Sequence, residues 1–170
     1  MTPYPKRRRI PAVADRQIRA RGKAAPTAQR GSTKANAQAS RLAAALLALT
    51  RGLPNPWDES TDYFHSFVAA MPPSVDLAPD SFRKALGIAA RYQIDLSSAD
   101  DALRELGDAK EWGEDTAAAF QQLTVVMRAT LGDRTLAFAR GKGVVRVRVW
   151  LFGRTESGTL VGLRSISTET

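Results

Sequence analysis

Two features of this 170-residue chain could do chemistry, and both bind rather than turn over a substrate. The first is the end of the chain. A strand-like run from Leu160 to Ser167 leads almost at once to Glu169-Thr170. Chain ends ordinarily fray, but an end continuous with a packed strand is held in place. A placed terminal carboxylate with an adjacent hydroxyl offers the oxygen ligands that Mg²⁺ takes while it keeps open water positions. The second is a strand face. Arg146 and Arg148 alternate with Val145, Val147 and Val149 and share a side with Trp150. That arrangement can grip phosphate and stack on bases. Its plainer reading is a solvated sheet face on which arginine stems cover apolar area.

Catalytic constellations are missing from the sequence. Without cysteine there is no thiolate, no disulfide and no Cys-based metal site. The single histidine, His65, sits in an aromatic run and reads as a half-buried strand residue, which leaves no His-rich metal cluster and few general-base schemes. Asp100-Asp101 reads as a pair of acids near a helix start, because adjacent helical residues do not face one another. Gly141-Lys142-Gly143 lacks the spacing and the following Ser/Thr of a phosphate loop and reads as a turn. The expectation is a protein that is not an enzyme and carries no cofactor.

Charge divides the chain. Residues 1–51 hold 12 Lys/Arg and one acid, Asp15, whereas residues 52–170 hold 13 Lys/Arg and 16 acids. The net +8 therefore describes the first third, and the remainder is mildly acidic at −3. Residues 1–39 read as a disordered basic extension, poor in large apolar residues and unable to offset ordering entropy. Lys6, Arg7, Arg8, Arg9, Arg16, Arg19, Arg21 and Lys23 in that extension could bind the phosphate backbone of DNA or RNA. A secretory signal is disfavoured, since the apolar run Leu42 to Leu49 is short and Arg51 follows it. No apolar run reaches membrane-spanning length, so the expectation is a cytoplasmic protein with no membrane partner.

The elements that must position these residues fall within residues 40–170. Ser40 reads as the N-cap of a helix with Leu42, Leu46 and Leu49 on one face beside Ala45, stopped by Gly52. An aromatic strand is expected over Asp62 to Val68, a helix from Pro79 through Phe82, Leu86 and Ile88 or Ala89, and a strand over Tyr92 to Leu96. Ser97-Ser98 should cap a short helix carrying Ala102, Leu103 and Leu106. A long helix is expected with Glu114-Asp115 in its first turn and Ala117, Phe120, Leu123 or Thr124, Met127 and Leu131 recurring at helical spacing. Three strand-like runs close the chain, over Thr135 to Ala139, Val145 to Phe152 and Leu160 to Ser167. Short turns between them favour an antiparallel sheet, and the class is α+β, a sheet covered by helices.

Glu111-Trp112-Gly113-Glu114-Asp115, then Phe120-Gln121-Gln122-Leu123, then the turn Gly153 to Gly162 of pattern Gly-x-Thr-x-x-Gly-x-Leu-x-Gly, and finally Glu169-Thr170 occur in one order. Together they resemble the nuclease A inhibitor family, most closely from Ser97 to Thr170 and more weakly back to Leu42. The resemblance implies an α-β-α sandwich that blocks a metal-dependent, sugar-nonspecific nuclease. It implies that Glu59, in Asp58-Glu59-Ser60, is presented to the nuclease, that Trp112 is an interface residue, and that Thr170 reaches the nuclease's magnesium. Two departures stand out. Asp62-Tyr63-Phe64-His65 replaces the family's Tyr-Pro-Phe-Glu, and Lys110 stands where the family pattern has a neutral glutamine. The implied partner is a nuclease, met by a monomer. The alternative is a nucleic-acid-associated protein that binds through its basic tail and uses the folded domain as a partner-binding module.

Overall fold

The structure, a computed structural model, describes residues 33–57, 63–143 and 145–168. Its elements, in order, are α1 (Thr33–Leu49), β1 (His65–Ala69), α2 (Pro79–Leu86), β2 (Tyr92–Ser98), α3 (Asp100–Leu106), α4 (Ala109–Trp112), α5 (Glu114–Thr130), β3 (Gly132–Gly141), β4 (Arg146–Arg154) and β5 (Leu160–Thr168). The five strands form one sheet in the order β1-β5-β4-β3-β2, antiparallel throughout. The class is α+β, with helices on both faces of the sheet.

Period two along β4 sorts its side chains between those faces. Val147, Val149 and Leu151 point to one side with Leu136, Val161 and Leu163, where α1, α3 and α5 pack on them and α4 leans on α5. Trp150 and Phe152 point to the other side with Ala137, Ala139 and Leu160, where α2 packs through Phe82. Phe82 is fully buried, stacked on Phe152 at 4.9 Å and edge-on to Trp150 at 5.6 Å. Such aromatic pairs add to the area they bury. Pro79 opens α2 at its first turn, and Gly87, left-handed at φ 62°, closes it.

Several expectations need correction. The first helix begins at Thr33, seven residues before the expected cap at Ser40. The preceding turns are alanine-rich, which favours helix, and the buried stripe is Ala39, Ala43 and Leu46 at i, i+4 and i+7. Small alanines let the helix approach closely but hide in a search for large apolar residues. Ala45, expected beside the apolar face, is exposed. His65, expected half-buried, is exposed at the start of β1, an edge strand. The long helix α5 buries Ala117, Phe120, Leu123, Thr124 and Met127, whereas Leu131, expected within it, is buried just past its end in extended geometry. Residues 1–32, with Lys6, Arg7, Arg8, Arg9, Arg16, Arg19, Arg21 and Lys23, lie outside the described residues.

Candidate functional site

Of the predicted contact residues, Trp112 and Lys110 lie among the described residues, on α4. Only Leu131 separates α5 from β3, so the helix runs back over the sheet against the direction of β3. Its 17 residues span about 25 Å, comparable to the length of β4. The N-terminus of α5 therefore lies where β3 and β5 finish and β4 begins. Trp112 stands immediately before α5, at the close of α4. Its indole meets the buried Phe120 edge-on at 5.8 Å, and the residue is half-buried. The ring is thus both an anchor for the helix start and a partly open surface. Gly113, at φ 79°, makes the sharp turn between α4 and α5 that sets this position. Lys110 is exposed on α4. The Asp108 carboxylate caps that helix by accepting from the Lys110 N–H at 2.9 Å.

The same end holds a clamp that sequence reasoning missed. Asn55 lies between Pro54 and Pro56, and its amide donates to the Ser165 hydroxyl at 2.8 Å and the Ile166 carbonyl at 2.9 Å. Its side-chain oxygen accepts from the Trp57 N–H at 3.1 Å. The Ser167 hydroxyl donates to the Trp57 carbonyl. The Trp57 ring packs edge-on against Phe64 at 6.0 Å. The segment ending at Trp57 is thereby tied to the last residues of β5. Glu59 and Thr170 themselves lie outside the described residues. The described residues leading to them, Trp57 and Ser167, are joined to each other. The sequence signal was an Asn flanked by prolines, since Asn side chains fold back on local backbone and prolines fix its geometry.

The recurring turn pattern proves structural. Gly158 has φ 87°, and a Cβ there would stand 2.6 Å from the Met71 carbonyl oxygen. A Cβ on Gly162 would stand 2.2 Å from the Leu151 carbonyl oxygen and 2.6 Å from the Phe152 Cα. Thr155 holds the turn, accepting from the Thr159 N–H at 3.1 Å, and Leu160 is fully buried. Phe120 and Leu123 are core residues, and the Gln121 amide donates to the Gly107 carbonyl at 2.7 Å. These residues build the platform and leave contact to others.

Asp100 is likewise structural, as its place at a helix start implies. Arg134 binds it through two nitrogens at 3.0 and 3.3 Å, and Arg128 of α5 lies 3.8 Å away. The Arg134 hydrogen bond, aided by the charges of Arg134 and Arg128, holds the Asp100 carboxyl below its ordinary range. Asp101 pairs with Arg104 at 2.8 Å. Among the described residues no group of three or more His, Asp or Glu is placed to hold a metal ion, and no helix is long and apolar enough to cross a membrane.

The model of a family described as nuclease A inhibitor-like protein matches residues 40–170. No curated protein matches the chain.

Proposed function

The chain belongs to the nuclease A inhibitor-like family, and from that premise we propose that it caps the active site of a metal-dependent, sugar-nonspecific nuclease with Glu59, Trp112 and the Thr170 carboxylate. Membership implies a nuclease partner and a role in binding rather than turnover. The observation that supports the finer reading is the clamp of Asn55, Ser165 and Ser167, which joins Trp57 to the end of β5 on the side of the sheet that carries Trp112.

The chemistry follows from what a nuclease presents. Its groove holds a hard cation and accepts phosphate. The Thr170 carboxylate and hydroxyl supply oxygens that such a cation takes in place of water. Glu59 occupies a phosphate position and pairs with an arginine or lysine of the groove. Trp112, rigidly seated on Phe120, is the apolar anchor around which water is excluded. Tying Trp57 to the end of β5 before the nuclease arrives lowers the ordering cost of association. Residues 52–170 carry net −3, which suits a cationic groove. Lys110, one turn from this surface, favours a nuclease whose rim carries a carboxylate.

The test is titration of a magnesium-dependent nuclease with the full chain and with two variants. Trp112→Ala weakens inhibition by about 2 kcal/mol or more, the scale of a central aromatic anchor. Glu59→Gln weakens it while leaving the unfolding midpoint unchanged. Inhibition indifferent to both would put the contact surface elsewhere.

The charge of residues 1–51 supports a second activity, binding of nucleic acid by the tail. Replacing Lys6, Arg7, Arg8 and Arg9 by glutamine lowers the salt slope of duplex binding by about 3.6, or roughly 0.9 for each cation. An unchanged slope in a retardation assay would remove the tail from any such role.

A further inference from the structure

On the α2 side of the sheet the cover stops part-way. Along β4 the residues facing that side are Phe152, Trp150, Arg148 and Arg146. The first two are buried under Phe82 and the last two are exposed. A cleft of about 340 Å³ is lined by Tyr63, His65, Arg148, Trp150, Arg164, Ser165 and Ile166. Register explains why these side chains converge. His65 stands opposite Arg164 across β1 and β5, Arg164 opposite Trp150 across β5 and β4, and Ile166 opposite Arg148. Arg148 and Arg164 are therefore diagonal neighbours on adjacent strands, roughly 7–8 Å apart at Cα and within joint reach of one phosphate.

The charge is of one sign. Among the described residues no carboxylate lies within ion-pair distance of Arg146, Arg148 or Arg164. Arg148 lies over the Tyr92 ring at 5.2 Å, which orients its guanidinium without neutralising it. A solvated sheet face requires only polar residues, and mixed signs or neutral side chains serve equally well. Here three arginines are joined by an exposed aromatic ring, since Tyr63 is 72% exposed at the mouth of the cleft. Trp150 is only 5% exposed, so it forms the floor and offers no stacking face, contrary to the expectation that it could stack on bases.

We propose that this cleft is a binding site for single-stranded nucleic acid, with Arg148 and Arg164 on the phosphates and Tyr63 stacked on a base. Strand chemistry requires both elements, a cationic track and a π-face. A duplex is read by an element that enters a groove, and a cleft lined by side chains of β1, β4 and β5 offers no such projecting element. The cleft lies on the face of the sheet opposite Trp112, and the proposal does not depend on the inhibitory reading.

The experiment uses the full chain and a 5-bromouracil oligonucleotide of about ten nucleotides, in the range of known single-strand site sizes. Photo-crosslinking followed by peptide mapping places the base on Tyr63. Arg148→Gln with Arg164→Gln lowers the salt slope of binding by about 1.4, or 0.7 for each cation on a single strand. Tyr63→Ala weakens binding about tenfold. Inhibition of the nuclease is retained in both variants. Crosslinks confined to residues 1–32, with an unchanged slope in the double variant, overturn the proposal. So does loss of nuclease inhibition in the double variant without loss of oligonucleotide binding, which would make the cleft a protein-docking surface.

Discussion

The two faces of the sheet are built on opposite economies of contact. On one face α1, α3 and α5 share the work of covering the strands, and Ala39, Leu46, Leu103, Phe120, Leu123 and Met127 are each at most 2% exposed. On the other, among the described residues α2 alone provides the helical cover, chiefly through Phe82, and it leaves Arg146, Arg148 and Arg164 in solvent. The multiply covered face places surfaces that must not move, namely Trp112 and the clamp at Trp57. The singly covered face leaves an open cationic cleft. One strand records both arrangements, because β4 reads valine, valine, leucine on one side and arginine, arginine, tryptophan, phenylalanine on the other.

That difference can be broken most severely at Phe82. Phe82→Ala removes the ring stacked on Phe152 and costs about 3–5 kcal/mol, measured by urea unfolding. Leu46→Ala on the opposite face costs about 2–4 kcal/mol, since neighbouring helices retain their own contacts. A Phe82 variant as stable as wild type would show that α2 contributes little and that the faces do not differ as described. Gly158→Ala follows at about 1–3 kcal/mol, because a left-handed turn packed against the Met71 carbonyl has no room for a methyl group. A neutral result in thermal unfolding would remove the turn from the list of fixed points.

The smallest effect belongs to Asp100, which ties α3 to β3 and α5 on the helical face. Its carboxyl is held below the ordinary value of 3.8. A depressed folded value contributes stability that is fully present above 3.8 and is lost as pH falls through the folded value. Wild type and Asp100→Asn therefore differ in Tm at neutral pH and converge only below pH 3.8. A difference that persists unchanged into strong acid would assign the effect to packing instead of charge.

Much of this architecture is legible in residue spacing. Helical recurrence from Ala117 to Met127 and alternation along Val145 to Phe152 state both elements and their buried sides. The start of α1 was not legible, because Ala39 and Ala43 carry little apolar signal although they are buried. The half-covered face was not legible either. Arginine before tryptophan marks where cover ends, but only the placement of α2 shows what covers it. At the candidate site, Trp112 is singled out only through the resemblance carried by Glu111-Trp112-Gly113-Glu114-Asp115. The Asn55 to Ser165 contact joins residues 110 positions apart, and no local pattern announces such a pair.

The central proposal is that the Thr170 carboxylate, together with Glu59 and Trp112, stops a nuclease. The direct measurement is the inhibition constant of the full chain with a free C-terminus against the same chain extended by a few residues beyond Thr170, with circular dichroism verifying that both fold. The account predicts that the extended chain folds normally and no longer inhibits. Equal inhibition by both forms would contradict it.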